Sequence, residues 1–561
     1  MLNRIQHDVV FNSPSNTIVS ASPGSGKTKT LVARAQHKLD SLPHRKSLVL
    51  ITYTNAGADE IASRLVTNQE SDVFIGTIHR FCLEFILRPF GWLYKYPKPK
   101  VISYDELLEF IELNPLLDLG NSPLDELNKI KKGLDGSLDL TVKLANDWSV
   151  AYVAELFYDF LKSKKAIDFN EILYRSYVII FNNDFVVTSL ANKFYEISVD
   201  EFQDTNIFQY EIFKTINKKH ICTFFMVGDE KQRIYRFAGA IDNAFNKATA
   251  DFSSEIRILE HTYRSTNNII NAYSSLFAHH PLLINESKYK NENLPCIIHQ
   301  TNKNNHNETL LNCVEKFIQS GGDLYEIAIL STSWIDALNV SRALRHKYPV
   351  VGLGALPHKS NNTSTFGLLR AICRFNYLTS VRNLRIVKRN MDQHCAENNL
   401  TYDEKELTNA TNLLITKTLA LDKSMNLIDG LAYLKQIFDS IFSFKHSAFE
   451  EISSLIDIEE SKLWTLDKYM ETVSGMNGIN INTIHQSKGL EFDLVILNNI
   501  NEGKIPYQSW NFEKQERDTL TVENEDDGRH LFYVGLSRAK AALIVLHNWK
   551  PSIFVSYVQG K

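Results

Sequence analysis

Apolar residues along the chain fall into two rhythms, short unbroken runs and longer stretches at helical spacing. Ile18 and Val19 lie in the run Asn16–Ser20, which reads as a short buried strand, and Thr28 to Leu39 reads as a helix after it. A second strand-like run, Phe194–Val199, stops abruptly at Asp200-Glu201-Phe202-Gln203-Asp204. Farther on, Met425, Leu427, Ile428, Leu431, Leu434 and Ile437 repeat at helical spacing behind Ser424, read as the helix cap. The polar run Thr301 to Glu308 reads as a surface loop, and no internal repeat or low-complexity segment interrupts the pattern. A chain of 561 residues is too long for one compact core, so several domains of ordinary size are expected. No stretch approaches the roughly eighteen unbroken apolar residues of a membrane span.

A hydrophobic content of 44% and a charged content of 22% are those of an ordinary globular protein. The N-terminus carries Arg4, His7 and Asp8 with no apolar core, so no secretory leader is read there and the expected location is cytoplasmic. The cysteines Cys82, Cys222, Cys296, Cys313, Cys373 and Cys395 are scattered without a C-x-x-C pair, which points away from a zinc site, a cluster or a disulfide framework. Cys222, ahead of Met226-Val227, is most simply a small core residue. A net charge of −4 does not announce a nucleic-acid partner, so such binding needs a local surface. One candidate is Arg80 to Lys100, where Arg80, Arg88, Lys95, Lys98 and Lys100 face only Glu84 and alternate with Phe81, Phe85, Phe90, Trp92, Tyr94 and Tyr96. Aromatic faces stack bases while cations hold phosphates. The same composition equally suits a buried aromatic helix with a solvated basic edge.

Between the first strand and its helix lies Ala21-Ser22-Pro23-Gly24-Ser25-Gly26-Lys27-Thr28. A strand, a glycine-bearing loop and a helix start aim several backbone N–H groups at one point, which suits a triphosphate. Lys27 supplies a charge to the outer phosphates and the Thr28 hydroxyl a ligand for magnesium. Such a loop needs an acidic partner at the end of a neighbouring parallel strand. Asp200 and Glu201 fit, the first to hold magnesium and the second to orient and deprotonate the attacking water. An isolated Asp-Glu pair is ordinarily a solvated turn; one that directly follows an apolar strand is not.

At Asp200-Glu201-Phe202-Gln203-Asp204-Thr205-Asn206 the chain resembles the superfamily 1A helicases of the UvrD/Rep/PcrA type. The other motifs follow in the family's order. Leu2-Asn3-Arg4-Ile5-Gln6 is similar to the adenine-reading glutamine motif, and Thr52-Tyr53-Thr54-Asn55 and Gly76-Thr77-Ile78-His79 to two DNA-facing motifs. Val227 to Phe237 resembles the motif that links the γ-phosphate to DNA, and Thr262-Tyr263-Arg264-Ser265 opens a second lobe. The segments Thr483 to Phe492 and Tyr533-Val534-Gly535-Leu536-Ser537-Arg538-Ala539 complete the set.

The resemblance implies an α/β fold with two RecA-like P-loop NTPase lobes, parallel sheets flanked by helices, each with a mostly helical inserted subdomain. Residues 1–79 and 166–255 form the first lobe with 80–165 inserted; 256–345 and 479–561 form the second, with 346–478 inserted. It implies ATP and magnesium as cofactors, with Gln6 on the adenine edge, Tyr263 stacked on the ring and Glu491 on the ribose. Gln232 senses the γ-phosphate, and Arg264 and Arg538 reach across the cleft to stabilise charge on the transferring group. The implied DNA contacts are Tyr53, Asn55, Thr77, His79, Tyr235, Phe237, Thr483 and His485. Tyr235 and Phe237 also admit a reading as core aromatics, and His79 one as a structural histidine.

Three positions depart from the family pattern. Phe237 stands where tryptophan is usual, Ala238 where the better-known members have an arginine coupling the phosphate site to DNA, and Ser537 where threonine is usual. The expected activity is ATP-driven movement on single-stranded and tailed duplex DNA, 3′-to-5′, in DNA repair or anti-phage defence. The rival expectation is a DNA-responsive ATPase switch that regulates a partner nuclease. Compact family members from bacterial anti-phage systems are similar to this chain in size and in the loop, and the short stretch after Arg538 carries the expectation that no nuclease domain is appended. No membrane partner is expected.

Overall fold

The computed structural model describes residues 2–13, 16–66, 73–94, 100–120, 122–302, 304–356, 363–398, 400, 403–442, 449, 462, 464–511 and 514–558. Two six-stranded parallel sheets organise them. The first runs Val73–Gly76, Ser47–Ile51, Phe194–Val199, Thr223–Gly228, Thr17–Ala21, Glu255–Leu259. The second runs Ile297–Gln300, Ala539–His547, Phe492–Asn498, Ile327–Ser331, Ile479–Thr483, Val350–Gly352.

Alternate strand residues feed two cores, one on each face, as the two-residue period of a strand requires. In the first sheet Ile18, Val49, Ile197 and Val199 pack into one core, while Val19, Leu48, Leu50 and Val227 pack into the other with Leu31 and Ala35. In the second, Ala328, Leu330, Val495 and Leu497 point one way, and Ile327, Ile329, Leu494 and Ile496 the other. Burial on both faces explains why these strands read as continuous apolar runs. Each insertion has a core of its own, around Phe110, Phe157 and Leu161 in the first and Leu369, Leu431, Leu434 and Tyr469 in the second.

Edge strands shift the expected limits. Glu255–Leu259 pairs in parallel with Thr17–Ala21, so the first sheet runs past residue 255. Val350–Gly352 pairs with Ile479–Thr483, so the second sheet takes residues read as insertion. The helical stretch after Thr77, including a π-helical turn at Leu83–Leu87, sends Phe81, Cys82, Ile86 and Leu87 into the first lobe's core. Ile256 and Ile258 of this edge strand are exposed, so it lacks the two-faced burial of the central strands.

Two local readings are corrected. The helix is Leu427–Asp439, capped by Asn426, whose side chain accepts from the Asp429 N–H. Ser424 instead turns back to Asp422, and Ile428 is exposed. The polar run at 301–308 is not simply a surface loop, because the helix His306–Gln319 starts inside it. Thr301 and His306 are buried, joined at 2.7 Å, and His306 Nε2 meets Asn498 Oδ1 at 2.6 Å. Polar residues that satisfy one another can be buried, and composition does not reveal that pairing.

The parallel arrangement puts every strand's C-terminal end on the same side of its sheet. Phe194–Val199, Thr223–Gly228 and Thr17–Ala21 are adjacent, so Asp200, Asp229 and the loop from Ser22 to Gly26 converge there. The helix behind the loop, Lys27–Asp40, is fastened to the carboxylate-bearing strand by a buried ion pair, Arg34 Nη2 to Glu196 Oε2 at 2.9 Å. Arg34 Nη1 also donates to Val10 O at 2.8 Å, and its guanidinium lies over the Phe225 ring. Removing one member leaves an uncompensated buried charge. Arg34→Ala should therefore destabilise the first lobe by about 3–5 kcal/mol, read by urea or thermal unfolding, and Arg34→Lys should restore only part of it.

Candidate active site

Ala21 closes its strand, and the chain then turns through Gly24 at φ 72° and Gly26 at φ 82°, both left-handed. These two positions require glycine for a second reason. A Cβ on Gly24 would lie 2.5 Å from Arg264 Cβ and 2.7 Å from Thr262 Oγ1, and one on Gly26 would lie 2.8 Å from Gln6 Nε2. Ala21, Ser22, Pro23 and Ser25 are buried, and the Ser25 hydroxyl finds no partner among the described residues. Lys27 and Thr28 open the helix, in the turn whose N–H groups lack intrahelical acceptors. Gln6 is fully buried behind the loop. Its Nε2 donates to Ser25 O at 2.9 Å and its Oε1 accepts from the Asn3 N–H, so in this state its amide braces the loop. Tyr263 is partly exposed, its hydroxyl accepting from Asn3 Nδ2 at 2.9 Å.

Asp200 leaves the strand with its N–H on Ile51 O, and Glu201 follows at φ 51°, a strained conformation for a side-chain-bearing residue. Lys27 Nζ stands 3.4 Å from Glu201 Oε1. Burial and the adjacent Glu201 charge push the Asp200 carboxyl up to about 7. Burial also works to raise Glu201, but Lys27, Lys488 and the Gln203 amide outweigh it and hold that carboxyl down, to about 2. One carboxyl is thus held near neutrality of charge while its neighbour stays ionised.

The second lobe supplies the opposite wall. Arg538 Nη2 donates to Gln232 Oε1 at 2.9 Å, and the rest of its guanidinium meets Val534 O, Leu490 O and Ser537 Oγ. Arg264 donates from Nε to Glu491 Oε2 at 2.7 Å and from Nη1 to Ser537 O at 2.9 Å. Glu491 is therefore engaged by an arginine whose charge and hydrogen bond outweigh partial desolvation and hold it below the usual carboxylate range. The loop itself is touched from this side, Tyr263 N–H donating to Gly24 O and Thr262 Oγ1 to Pro23 O.

Several residues of this site had not been singled out. Lys488 crosses from the second sheet to pair with Asp204, donates to Gln232 O at 2.8 Å and lies 3.8 Å from Glu201 Oε2. Asp229 accepts from Gln232 Nε2 at 2.8 Å, and its own N–H donates to Gln203 Oε1 at 3.0 Å. All four lie inside motifs already quoted. The only signal available was their place there, since each role depends on a partner far away in sequence.

Beside this site runs a row of rings from both lobes. Tyr53 stacks on Tyr235 with centroids 4.5 Å apart and planes at 16°, Tyr235 meets Phe237 edge-on at 6.0 Å, and Phe237 meets His485 at 5.9 Å. Lys488 lies over the Tyr235 ring, and Phe237 is 74% exposed, which excludes a core role for it. Thr77 caps the helix Ile78–Cys82, and Thr483 is paired with Gln486. Asn55 opens the helix Asn55–Arg64; its carbonyl accepts from Arg389 Nη2, and Arg389 also pairs with Asp59 at 3.0 Å. His79 lies edge-on to Phe169, and burial lowers its pKa to about 4, so it is neutral at physiological pH. That geometry favours the structural reading of His79 over a charged phosphate contact.

Of the two readings open for the basic aromatic segment, the buried helix fits the structure better. Phe81 is fully buried, Phe85, Phe90 and Tyr94 pack against the first core, and Arg80 pairs with Asp392 at 2.5 Å. Only Trp92 of its described aromatics is largely exposed. Lys95, Tyr96 and Lys98 lie outside the described residues.

The sequence family described as the UvrD/REP helicase N-terminal domain matches residues 2–253, and the UvrD-like helicase C-terminal domain matches 371–549. The chain belongs to the UvrD/Rep helicase family. It is 24% identical to a probable DNA helicase II homolog of Mycoplasma pneumoniae, covering 99% of this chain and 86% of that protein. It is 23% identical to the ATP-dependent DNA helicase PcrA of Bacillus subtilis, covering 99% and 83%. Against the ATP-dependent DNA helicase Rep of Buchnera aphidicola subsp. Acyrthosiphon pisum the figures are 24%, 98% and 95%. As a UvrD-like helicase it is a hydrolase, and no described helix is long and apolar enough to cross a membrane.

Two outcomes follow from this geometry. Gly24→Ala forces a side chain into a left-handed backbone against Arg264, and ATP hydrolysis should fall by roughly tenfold or more while the protein stays folded by circular dichroism. The raised Asp200 pKa means that the folded state loses stability as pH climbs from the unfolded carboxylate value, near 4, through about 7. Asp200→Asn should therefore melt higher than the wild type at pH 8, an advantage that shrinks as pH falls toward 4.

Proposed function

We propose that this chain is an ATP-dependent DNA translocase and helicase that moves 3′-to-5′ along single-stranded DNA. The observation that carries the reading is one short segment. At Gln232 it meets Arg538 of the opposite lobe beside the phosphate loop, and at Tyr235 and Phe237 it enters the ring row with Tyr53 and His485. A movement at the first end is felt at the second.

The residues fit ATP and magnesium. The loop is a cradle without side chains at Gly24 and Gly26, with an orphaned Ser25 hydroxyl. Thr28 and Asp200 would hold magnesium, with phosphate and water completing its shell. When bound, magnesium supplies charge neutralisation on the transferring phosphate. Lys27 holds the outer phosphates, and Glu201, ionised at neutral pH, orients the attacking water and accepts its proton. Arg264 and Arg538 take the charge that develops on the transferring group, and Gln232 registers its presence. Tyr263 offers a face for the adenine and Glu491 an acceptor for the ribose. Tyr235 and Phe237 stack bases without reading sequence, and Tyr53 and His485 of the ring row, with Asn55, Thr77 and Thr483, would contact the same strand.

The setting proposed is DNA repair or anti-phage defence. A second reading rests on Ala238, which removes the family's coupling arginine. In it, ATP turnover is a DNA-responsive switch that licenses a nuclease partner, as the length and loop shared with the helicase subunit of the Gabija anti-phage system suggest. The deciding experiment measures ATPase activity with and without single-stranded DNA, and displacement of 3′-tailed and 5′-tailed duplexes. Wild type should be DNA-stimulated and displace the 3′-tailed duplex, and Lys27→Ala should be inactive. Activity that survives Lys27→Ala overturns the ATP site, preference for the 5′ tail overturns the polarity, and stimulation without displacement favours the switch.

A further inference from the structure

One cluster of charges is absorbed by none of these roles. The helix Val522–Leu536 of the second lobe lies along residues 229–236 of the first. Tyr533 reaches Asp229 at 3.4 Å, and His530 Nδ1 donates to Lys231 O at 2.7 Å. At its start, Asp526 Oδ2 lies 3.2 Å from Arg233 Nη2, and Asp527 Oδ1 lies 3.9 Å from Arg236 Nη1. Both arginines also face Asp242 of their own lobe, Arg233 in direct contact and Arg236 at 3.8 Å. Arg233 and Arg236 flank Tyr235, so the cluster grips the segment that joins the ATP site to the ring row.

We propose that Arg233 and Arg236 form an exchangeable ion-pair latch between the lobes, shared between Asp526 and Asp527 when the cleft is closed and kept by Asp242 when it opens. The exposures of the partners support exchange rather than stapling. The carboxylates of Asp242, Asp526 and Asp527 are 52%, 42% and 46% exposed, so each pair is well screened and easily broken. The Arg233 side chain is only 10% exposed and cannot cheaply lose every anion. Asp242 moves with it and removes that obstacle to opening. Two arginines sharing three carboxylates thus have a partner in either position of the second lobe, a requirement for a contact remade at each turnover. In a chain with alanine at 238, this latch holds the linking segment to the far lobe.

The latch rests on the helicase reading only for its DNA-dependent readout, so the test carries two. One is the concentration of a nonhydrolysable ATP analogue that contracts the protein in small-angle X-ray scattering without DNA. The other is the ratio of ATPase kcat with and without single-stranded DNA. The double variant Asp526→Asn, Asp527→Asn should need roughly five- to tenfold more analogue to contract and lose a similar factor of DNA stimulation, with DNA-free kcat and melting temperature near wild type. Asp526→Glu with Asp527→Glu should restore both. Asp242→Asn should act with opposite sign on closure, contracting at lower analogue concentration, because the arginines then have carboxylates only on the second lobe. Unchanged contraction in the double asparagine variant, or a shift of the same sign in Asp242→Asn, overturns the latch. A wild type that contracts but is not stimulated by DNA overturns the helicase reading, and the contraction data still judge the latch.

Discussion

Arg538 is a guanidinium taken almost wholly out of water and given neutral acceptors, with no carboxylate at ion-pair distance among the described residues. Its burial, and the nearby Arg264 charge, lower its pKa to about 9, far below that of a solvated arginine. A cation in this position is costly without an anion. The phosphate loop, the carboxylates after the neighbouring strands and Gln232 are all arranged around the place where an anion would relieve that cost. The two lobes meet through this contact, so the candidate site belongs to neither lobe alone.

The ring row depends on the same meeting. Tyr53 and Tyr235 come from the first lobe and His485 from the second, and Lys488 spans both by pairing with Asp204 while lying over Tyr235. A shift of the second lobe therefore moves a charge near Glu201 and a cation on a stacking ring together. Beside this row, Ala238 and Gly239 border a cavity of about 460 Å³ that also touches Tyr158, Tyr174 and Lys132 of the neighbouring segments.

Much of the fold was legible because burial on two faces writes itself into sequence as apolar runs, as at Val19 and Ile197. The parts that were not legible are edge strands and polar pairs. Glu255–Leu259 is half exposed and hides its strand, while Thr301 and His306 are buried by bonding each other and mimic a loop. The same division holds in the site. Glycines at 24 and 26 and Lys27 declare themselves by spacing along one stretch of chain, and Asp200 by the apolar strand it directly follows. Lys488, Asp204 and Asp229 do not, since their meaning lies in contacts formed only when distant segments pack. The segment from Arg80 shows the converse hazard, where an aromatic and basic composition that suits a nucleic acid is consumed largely by the core.

Three features of the site work against the stability of the fold. Glu201 holds a left-handed backbone, Asp200 is a carboxyl raised by burial and a neighbouring charge, and Arg538 is an unpaired buried cation. Strain of this kind persists only where surrounding structure enforces it, and here that structure includes the Arg34–Glu196 pair behind the loop. A triphosphate with its cation would relieve the two charge terms at once, the cation meeting Asp200 and the phosphate meeting Arg538. Because those groups sit on different lobes, the relief is available in full only when the lobes are together. A ligand that met both charges would therefore bind best with the lobes together, which is where the proposed nucleotide cycle would draw its closure.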